Sequence, residues 1–378
     1  MNGQKSYFSG THRVCPPEQT WERIVPLFPT FGITRIADIT WLDDIGIPVY
    51  QAIRPNGRYL SVYQGKGLDT VSARVSAAME AIERWHGEHL DLRPDRVATA
   101  REIAPELGYG LDELTLHRRH CLNPGSRTAL RRARRLSDGQ ASFVPVESLN
   151  IDLRVDRQWQ PPTFRGTTNG LASGNTVDEA TLHALYEVIE RDTLTRLASS
   201  PWSVVDPDTV AGHSRALLDH YRDAKVKVLI SVLPSPMGVP CFSATIWNDN
   251  FPVPRNGFGC HLDSDVALCR ALTEAAQVRV SYIAGSRDDL QDREYRDIQR
   301  ALANPTEAAL FESAGTADAV DFATIPSLTV LDLGQEIDEL VRRVVDVTGR
   351  SPLVVDHTRD DLGIPVVHVL CPGLAFPA

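Results

Sequence analysis

Met79–Arg84 reads MEAIER, and Tyr186–Arg191, 107 residues further on, reads YEVIER. Each segment sets two glutamates three residues apart and follows them with an arginine: Glu80, Glu83 and Arg84, then Glu187, Glu190 and Arg191. On a helix, positions i and i+3 share a face, so each pair points two carboxylates the same way. Like charges so placed repel, and water, an arginine or a cation must offset them. Two facing pairs would offer four hard oxygen ligands, the donor type that Mg2+ takes alongside water and phosphate oxygens. A single E-x-x-E-R is also an ordinary surface salt-bridge motif. Two copies with matching apolar neighbours leave both readings open.

A third segment, RALTEAAQVRVSYIAGSRDD (Arg270–Asp289), again puts two polar groups on one face, Glu274 and Gln277, with Arg279 and Arg287 after them. Arginines beside a magnesium–phosphate site would neutralise charge that develops in phosphoryl transfer. The plainer reading is a helix with a glycine stop. Glycine-rich turns precede the first two acidic segments: YQGKGLDT (Tyr63–Thr70), with Lys66 between glycines, and RGTTNGLASGNT (Arg165–Thr176). Glycine allows close backbone approach, and amides at a helix start favour anions. Neither turn has the spacing of a P-loop or of a dinucleotide fingerprint. The residue chemistry points to a magnesium-dependent enzyme that handles phosphate.

Two amphipathic helices must position these groups. The first starts at Asp69 or Thr70, either able to cap it, and runs to about Leu90. Its apolar stripe is Val75, Met79, Ile82 and Trp85 or His86, with Ser76, Glu80 and Glu83 on a separate stripe. The second starts at Thr176 or Asp178 and reaches about Ala198; Leu182, Leu185 and Ile189 face the core, while Glu179, His183, Glu187 and Glu190 line another face. Strand–turn–strand patterns stand near both ends of the chain. Asp38, Thr40 and DDIGIPV (Asp43–Val49) are echoed by Asp356, Thr358 and DDLGIPV (Asp360–Val366), so both ends are expected in one core. The arginine-rich stretch His117–Gly139 reads as a solvated helix or loop, with a phosphate or acidic-peptide site as the alternative. Pro161–Pro162 reads as a linker, and Gln291–Ala317 as a polar helix and loop.

The bulk numbers agree with a globular enzyme. The chain has 378 residues, 42% hydrophobic and 23% charged, enough for one large or two ordinary domains. A net charge of −10 argues against general nucleic-acid binding. The six cysteines form no CxxC pair, which argues against a zinc site or a disulfide framework. No secretory signal and no apolar run of roughly 18 residues is present, so a cytoplasmic location and no membrane contact are expected.

In order and spacing, SAAMEAIER, NGLASGNTVDEATLHALYEVIERD and RALTEAAQVRVSYIAGSRDD resemble the YcaO family over nearly the whole chain. GTHRVCPPEQTWERI and GITRIADITWLDDIGIPV look most like its TfuA-accompanied branch. The resemblance implies an α/β (α+β) fold with antiparallel or mixed sheets, pseudo-repeated halves (1–160 and 161–378 of a single domain) and an ATP site walled by helices with paired glutamates. It implies ATP and Mg2+ as cofactors and activation of a peptide backbone amide. Residue by residue, it implies magnesium on Glu80, Glu83, Glu187 and Glu190. Nucleotide contacts fall on Ser76, Arg84, Asn175, Glu179 and Arg191, with Lys5 and Arg13 in the N-terminal segment. Gln277, Arg279 and Arg287 stand nearest the chemistry, and either arginine could face the phosphates.

The C-terminus, CPGLAFPA, holds only Pro372 and Pro377 and departs from the PxPxP tail of azoline-forming members. That departure favours thioamidation. The family motifs begin almost at Met1, with no leader-binding segment before them, so a TfuA-like or E1-like partner is expected to recognise the precursor peptide or protein or to deliver sulfur. A homodimer is compatible with the family. Azoline formation by cyclodehydration is the alternative within the same chemistry, and amidine formation a further outcome. A catalytically inactive nucleotide-binding subunit is the alternative from another class.

Overall fold

A computed structural model describes residues 3–152, 154, 162–197, 202–290, 292–303, 311 and 319–376. Ala198, Pro161, Pro377 and most of 304–318 therefore lie outside the described residues, as does the boundary at 160/161. Three units of one design surround the centre. The first is β1 (Arg35–Asp38), β2 (Val49–Ile53), β3 (Val62–Lys66) and helix α1 (Thr70–Glu88). Next in the chain come β4 (Leu171–Ser173) and α2 (Val177–Arg196). The second complete unit is β5 (Lys227–Leu233), β6 (Cys241–Asn248), β7 (Phe251–Cys260) and α3 (Ser264–Ala284). The hairpin β8 (Leu353–Asp356) and β9 (Val366–Leu370) completes the third, because β9 pairs antiparallel with β4. Each unit is thus an antiparallel sheet whose last strand feeds a helix.

The sequence repeats explain the design. Asp69, Thr176 and Asp263 cap the three helices with their side chains, accepting from Ser72 N, Glu179 N, and Asp265 N and Val266 N respectively. Glu80, Glu187 and Glu274 each stand the same eleven residues past the cap. The internal repeat therefore has a third copy in α3. The echoed hairpins match atom for atom. Asp38 Oδ1 accepts from Thr40 N at 2.9 Å and Asp356 Oδ1 from Thr358 N at 2.8 Å; Val49 N donates to Thr40 Oγ1 at 3.1 Å and Val366 N to Thr358 Oγ1 at 3.3 Å. The two hairpins lie in different sheets, yet Tyr50 and Ala52 share one apolar cluster with Ile364 and Val366.

Packing of strand against helix sets the register. A Cβ on Gly65 would lie 1.9 Å from Ala77 N, and one on Gly257 2.2 Å from Ala275 N. The strand can approach so closely because both partners are small, and α1 accordingly buries Ala73, Ala77, Ala78 and Ala81 with Ile82 and Trp85. Val75 faces the central cavity instead of the core, and Met79 lines the cavity while packing against the apolar cluster of the first unit. On α2, Leu182, Leu185 and Ile189 are buried as expected.

The arginine-rich stretch is a correction. Arg127–Arg135 is a β-strand, neither helix nor loop, inserted between Arg96–Thr99 and β8. Thr128, Leu130 and Ala133 are buried among half-buried and exposed arginines, and the two-residue strand period slips by one at the adjacent Arg131 and Arg132. It does not line the central cavity. A polar helix covers Asp292–Ala303. All six cysteines are free, and among the described residues no helix is long and apolar enough to cross a membrane.

Candidate active site

The three helices turn their polar faces on one cavity of about 640 Å³. Ser76, Glu80, Glu83 and Arg84 enter it from α1; Glu179, His183, Glu187, Glu190 and Arg191 from α2; Arg270, Glu274 and Gln277 from α3. Arg13, Asn175 and Arg287 complete the wall. Of the residues singled out in the sequence, only Lys5 and Arg279 are elsewhere. Arg279 is 2% exposed, with Nε 2.9 Å from Asp43 Oδ2, Nη2 3.3 Å from Asp44 Oδ1 and Nη1 donating to Asn248 Oδ1 at 3.0 Å. It braces the β1–β2 turn against α3 and does not line the cavity, whereas Arg287 does. Lys5 is buried in an ion pair with Glu336, behind the wall.

On α1, Arg84 donates to Glu80 Oε1 from Nε at 3.0 Å and from Nη2 at 2.6 Å. Glu83 is buried and accepts from Ser173 N at 3.0 Å, with Arg84 Nη1 3.4 Å away. Burial, and then neighbouring Glu80, push its pKa well above the usual carboxylate range. Arg84 Nη1 is buried with no hydrogen-bond partner. On α2, burial raises the pKa of Glu187, opposed by Arg191 and Arg84, and burial with nearby Glu274 pushes Glu190 up to about 7. His183 is held well below its usual value by burial and then by Arg270 and Arg13. On α3, Glu274 Oε2 lies 2.6 Å from Lys66 Nζ.

This donor set fits Mg2+. Buried carboxylates that resist ionisation are groups that lack positive charge, and all are hard oxygen donors. Among the described residues no three acidic, histidine or cysteine side chains already converge as a finished metal cage. Arg84 and Lys66 hold Glu80, Glu83 and Glu274 instead. A cation would draw these side chains together.

Asn175 and Glu179 join the N-terminal segment to the cavity. Glu179 Oε1 accepts from Asn175 N at 3.0 Å and Nδ2 at 2.9 Å, and Oε2 from Val14 N at 2.9 Å; Arg13 Nε lies 3.9 Å from Oε1. Asn175 Oδ1 in turn accepts from Thr20 Oγ1 at 2.8 Å and Arg23 Nη2 at 3.0 Å. Arg287 pairs with Asp289 and reaches Gln64 Oε1 at 3.5 Å. Sequence reasoning set Glu274 on the polar face with Gln277 without giving it a ligand role, and assigned none to Lys66, His183 or Arg270. The equal distance of Glu274 from its helix cap was the available signal for the first.

A family model described as "YcaO cyclodehydratase, ATP- and Mg2+-binding" matches residues 64–375. An uncharacterized protein of Mycobacterium tuberculosis (strain H37Rv) is 38% identical over 376 residues, covering 97% of this chain and 83% of its own. An uncharacterized protein in the tfuA 3′ region of Rhizobium leguminosarum bv. trifolii is 36% identical, covering 96% of this chain and 88% of its own. The fold is that of YcaO from Methanopyrus kandleri bound with AMPPCP and Mg2+, at a TM-score of 0.73 and 24% identity over 99% of this chain and 95% of that one.

Proposed function

The chain belongs to the YcaO family, with ATP and Mg2+ as its cofactors, and on that premise we propose that it activates a backbone amide of a peptide or protein, forming a thioamide with a TfuA-like partner. The observation that carries this reading is two carboxylate pairs, on separate helices, sharing one cavity with Arg13, Arg84, Arg191 and Arg287. In the reaction a nucleophile attacks the amide carbonyl carbon. The amide oxygen takes the γ-phosphoryl group of ATP and leaves as phosphate. With hydrosulfide as nucleophile, the carbon ends with sulfur in place of oxygen, and ADP and phosphate are released.

Glu80, Glu83, Glu187 and Glu190 would hold magnesium. Bound Mg2+ supplies charge neutralisation on the phosphate oxygens. Arg84 and Arg191 stand next in line for those oxygens, since each follows its carboxylate pair. Ser76, Asn175 and Glu179 bound the nucleotide side, with Arg13 held over it. Gln277 and Arg287 lie toward the reacting amide, where a neutral donor and a fixed cation can orient it and stabilise the developing oxyanion. His183, kept neutral, is available as an acceptor but not as a charge.

One observation favours the thioamide: a relative carries tfuA in its name. The family model's description as a cyclodehydratase favours the second reading, azoline formation from Cys, Ser or Thr. Reconstitution with a candidate precursor peptide, a TfuA-like protein, ATP and sulfide separates them. Sulfide-dependent gain of about 16 Da supports the thioamide, and loss of about 18 Da supports cyclisation, by the O-for-S exchange or water loss of the activated amide. ATP turnover without any mass change in the peptide overturns both.

A further inference from the structure

Each of the three central sheets ends in an edge strand beside the cavity, and the edges differ. On β4, Ser173 N donates to Glu83 at 3.0 Å. On β7, Phe258 N reaches Glu274 Oε1 at 3.4 Å. A carboxylate thus takes one N–H on each of those edges.

The edge of β3 is open. Its hydrogen-bond parity is set at its two ends, where Arg54 N donates to Ser61 O at 2.7 Å and Gly67 N to Pro48 O at 3.3 Å. Tyr63 and Gly65 therefore bond to β2, while Val62, Gln64 and Lys66 stand in the alternate pairs and turn their N–H and C=O groups off the sheet. Among the described residues nothing accepts from those three N–H groups. The Gln64 side chain adds an independent sign. It is 7% exposed and lines the cavity; its Oε1 accepts from Ser281 Oγ at 2.5 Å, and its Nε2 is buried with no partner. Neighbouring Gln51, by contrast, donates its Nε2 to Ser286 Oγ at 2.6 Å. An unmatched buried donor is destabilising, and an open edge is a template for another strand.

We infer that β3 is the docking edge for the peptide substrate, which adds to it as a further strand and gives one carbonyl oxygen to Gln64 Nε2. This rests on the peptide-amide reading of the cavity. Strand addition binds through backbone groups and so tolerates varied side chains near the target. It also leaves alternate peptide units turned away from β3, free to present a carbonyl to Gln277 and Arg287.

Two variants test the edge. Gln64→Leu removes the side-chain donor, and Val62→Pro removes an outward N–H at a position where a strand edge tolerates proline. The probe is a mixture of short blocked peptides of random sequence at millimolar concentration, with Mg2+ and a non-hydrolysable ATP analogue. The readouts are hydrogen–deuterium exchange across 61–67 and affinity for the analogue. We expect the peptides to slow exchange in this segment of the unmodified protein, and each variant to lose that slowing while binding the analogue as before. Slowing that persists in both variants, or that occurs only on another strand, overturns the assignment. Should Val62→Pro fail to fold, Gln64→Leu decides alone. Analogue binding with no slowing anywhere in the unmodified protein overturns the peptide-substrate reading itself, and the docking edge with it.

Discussion

Helices α1 and α3 present the same face to the same cavity with different chemistry. Where α1 has Glu80, Glu83 and Arg84, α3 has Glu274, Gln277 and Val278. Both first glutamates are matched by a cation, Arg84 in one case and Lys66 in the other. The second acid and the arginine are lost only from α3. A cavity with three equal acidic arms would be a cation trap with no direction. Leaving one arm with a single acid, paired with Lys66, gives the cavity a more charged end between α1 and α2 and, on the proposed reading, an end at which an uncharged amide can lie.

The sharpest break in this comparison is Glu80→Ala. It is expected to lower Mg-ATP affinity by at least on the order of 100-fold in calorimetry, since even the outer partners of a metal are worth 10–100-fold. Glu187→Gln should follow it, whereas unchanged binding would take Glu187 out of the ligand set. Arg279→Leu should do the opposite. Stability in urea should fall by about 3 kcal/mol, because Asp43 is left buried without its partner, while nucleotide affinity stays as it was. Gly65→Ala and Gly257→Ala should each destabilise by ~1–3 kcal/mol, as overpacking of strand on helix does, and to a similar extent if the two units are equivalent.

A pH scan tests the permuted unit against the first. Burial lowers the pKa of His86 on α1 and of His368 on β9 to about 4. Unfolded histidine titrates near 6.5, so stability is complete above that pH and is lost as pH falls through 6.5 toward 4. His368→Gln should flatten that loss by on the order of 2 kcal/mol. The smallest effect is expected from Gln277→Glu. It restores an acid to α3 and should slow turnover more than it changes nucleotide affinity.

Much of this site was legible in the chain because helices keep their periodicity wherever they pack. The two E-x-x-E-R faces, their caps at Asp69 and Thr176 and the echoed hairpins were all readable as local patterns. Arg279 was misplaced because spacing alone cannot say what crosses from another element, and here Asp43 and Asp44 come from the β1–β2 turn. The Arg127–Arg135 strand was hidden because its two-residue period breaks at the adjacent Arg131 and Arg132. Val75 looked like core since an apolar stripe does not reveal whether it meets protein or a cavity. The third unit was the hardest to see, because its strands are separated in sequence and only the sheet reunites them.

That separation bears on how the protein is made. Helix α2 leaves the ribosome with β4, yet β9, the strand that pairs with β4, lies at 366–370. At ~5–20 residues per second, roughly ten to thirty seconds pass before β9 emerges. During that interval α2 carries buried-type carboxylates with no sheet behind them. The site that handles ATP is therefore a late product of synthesis, and a nascent chain can fold its first unit long before it can take up nucleotide.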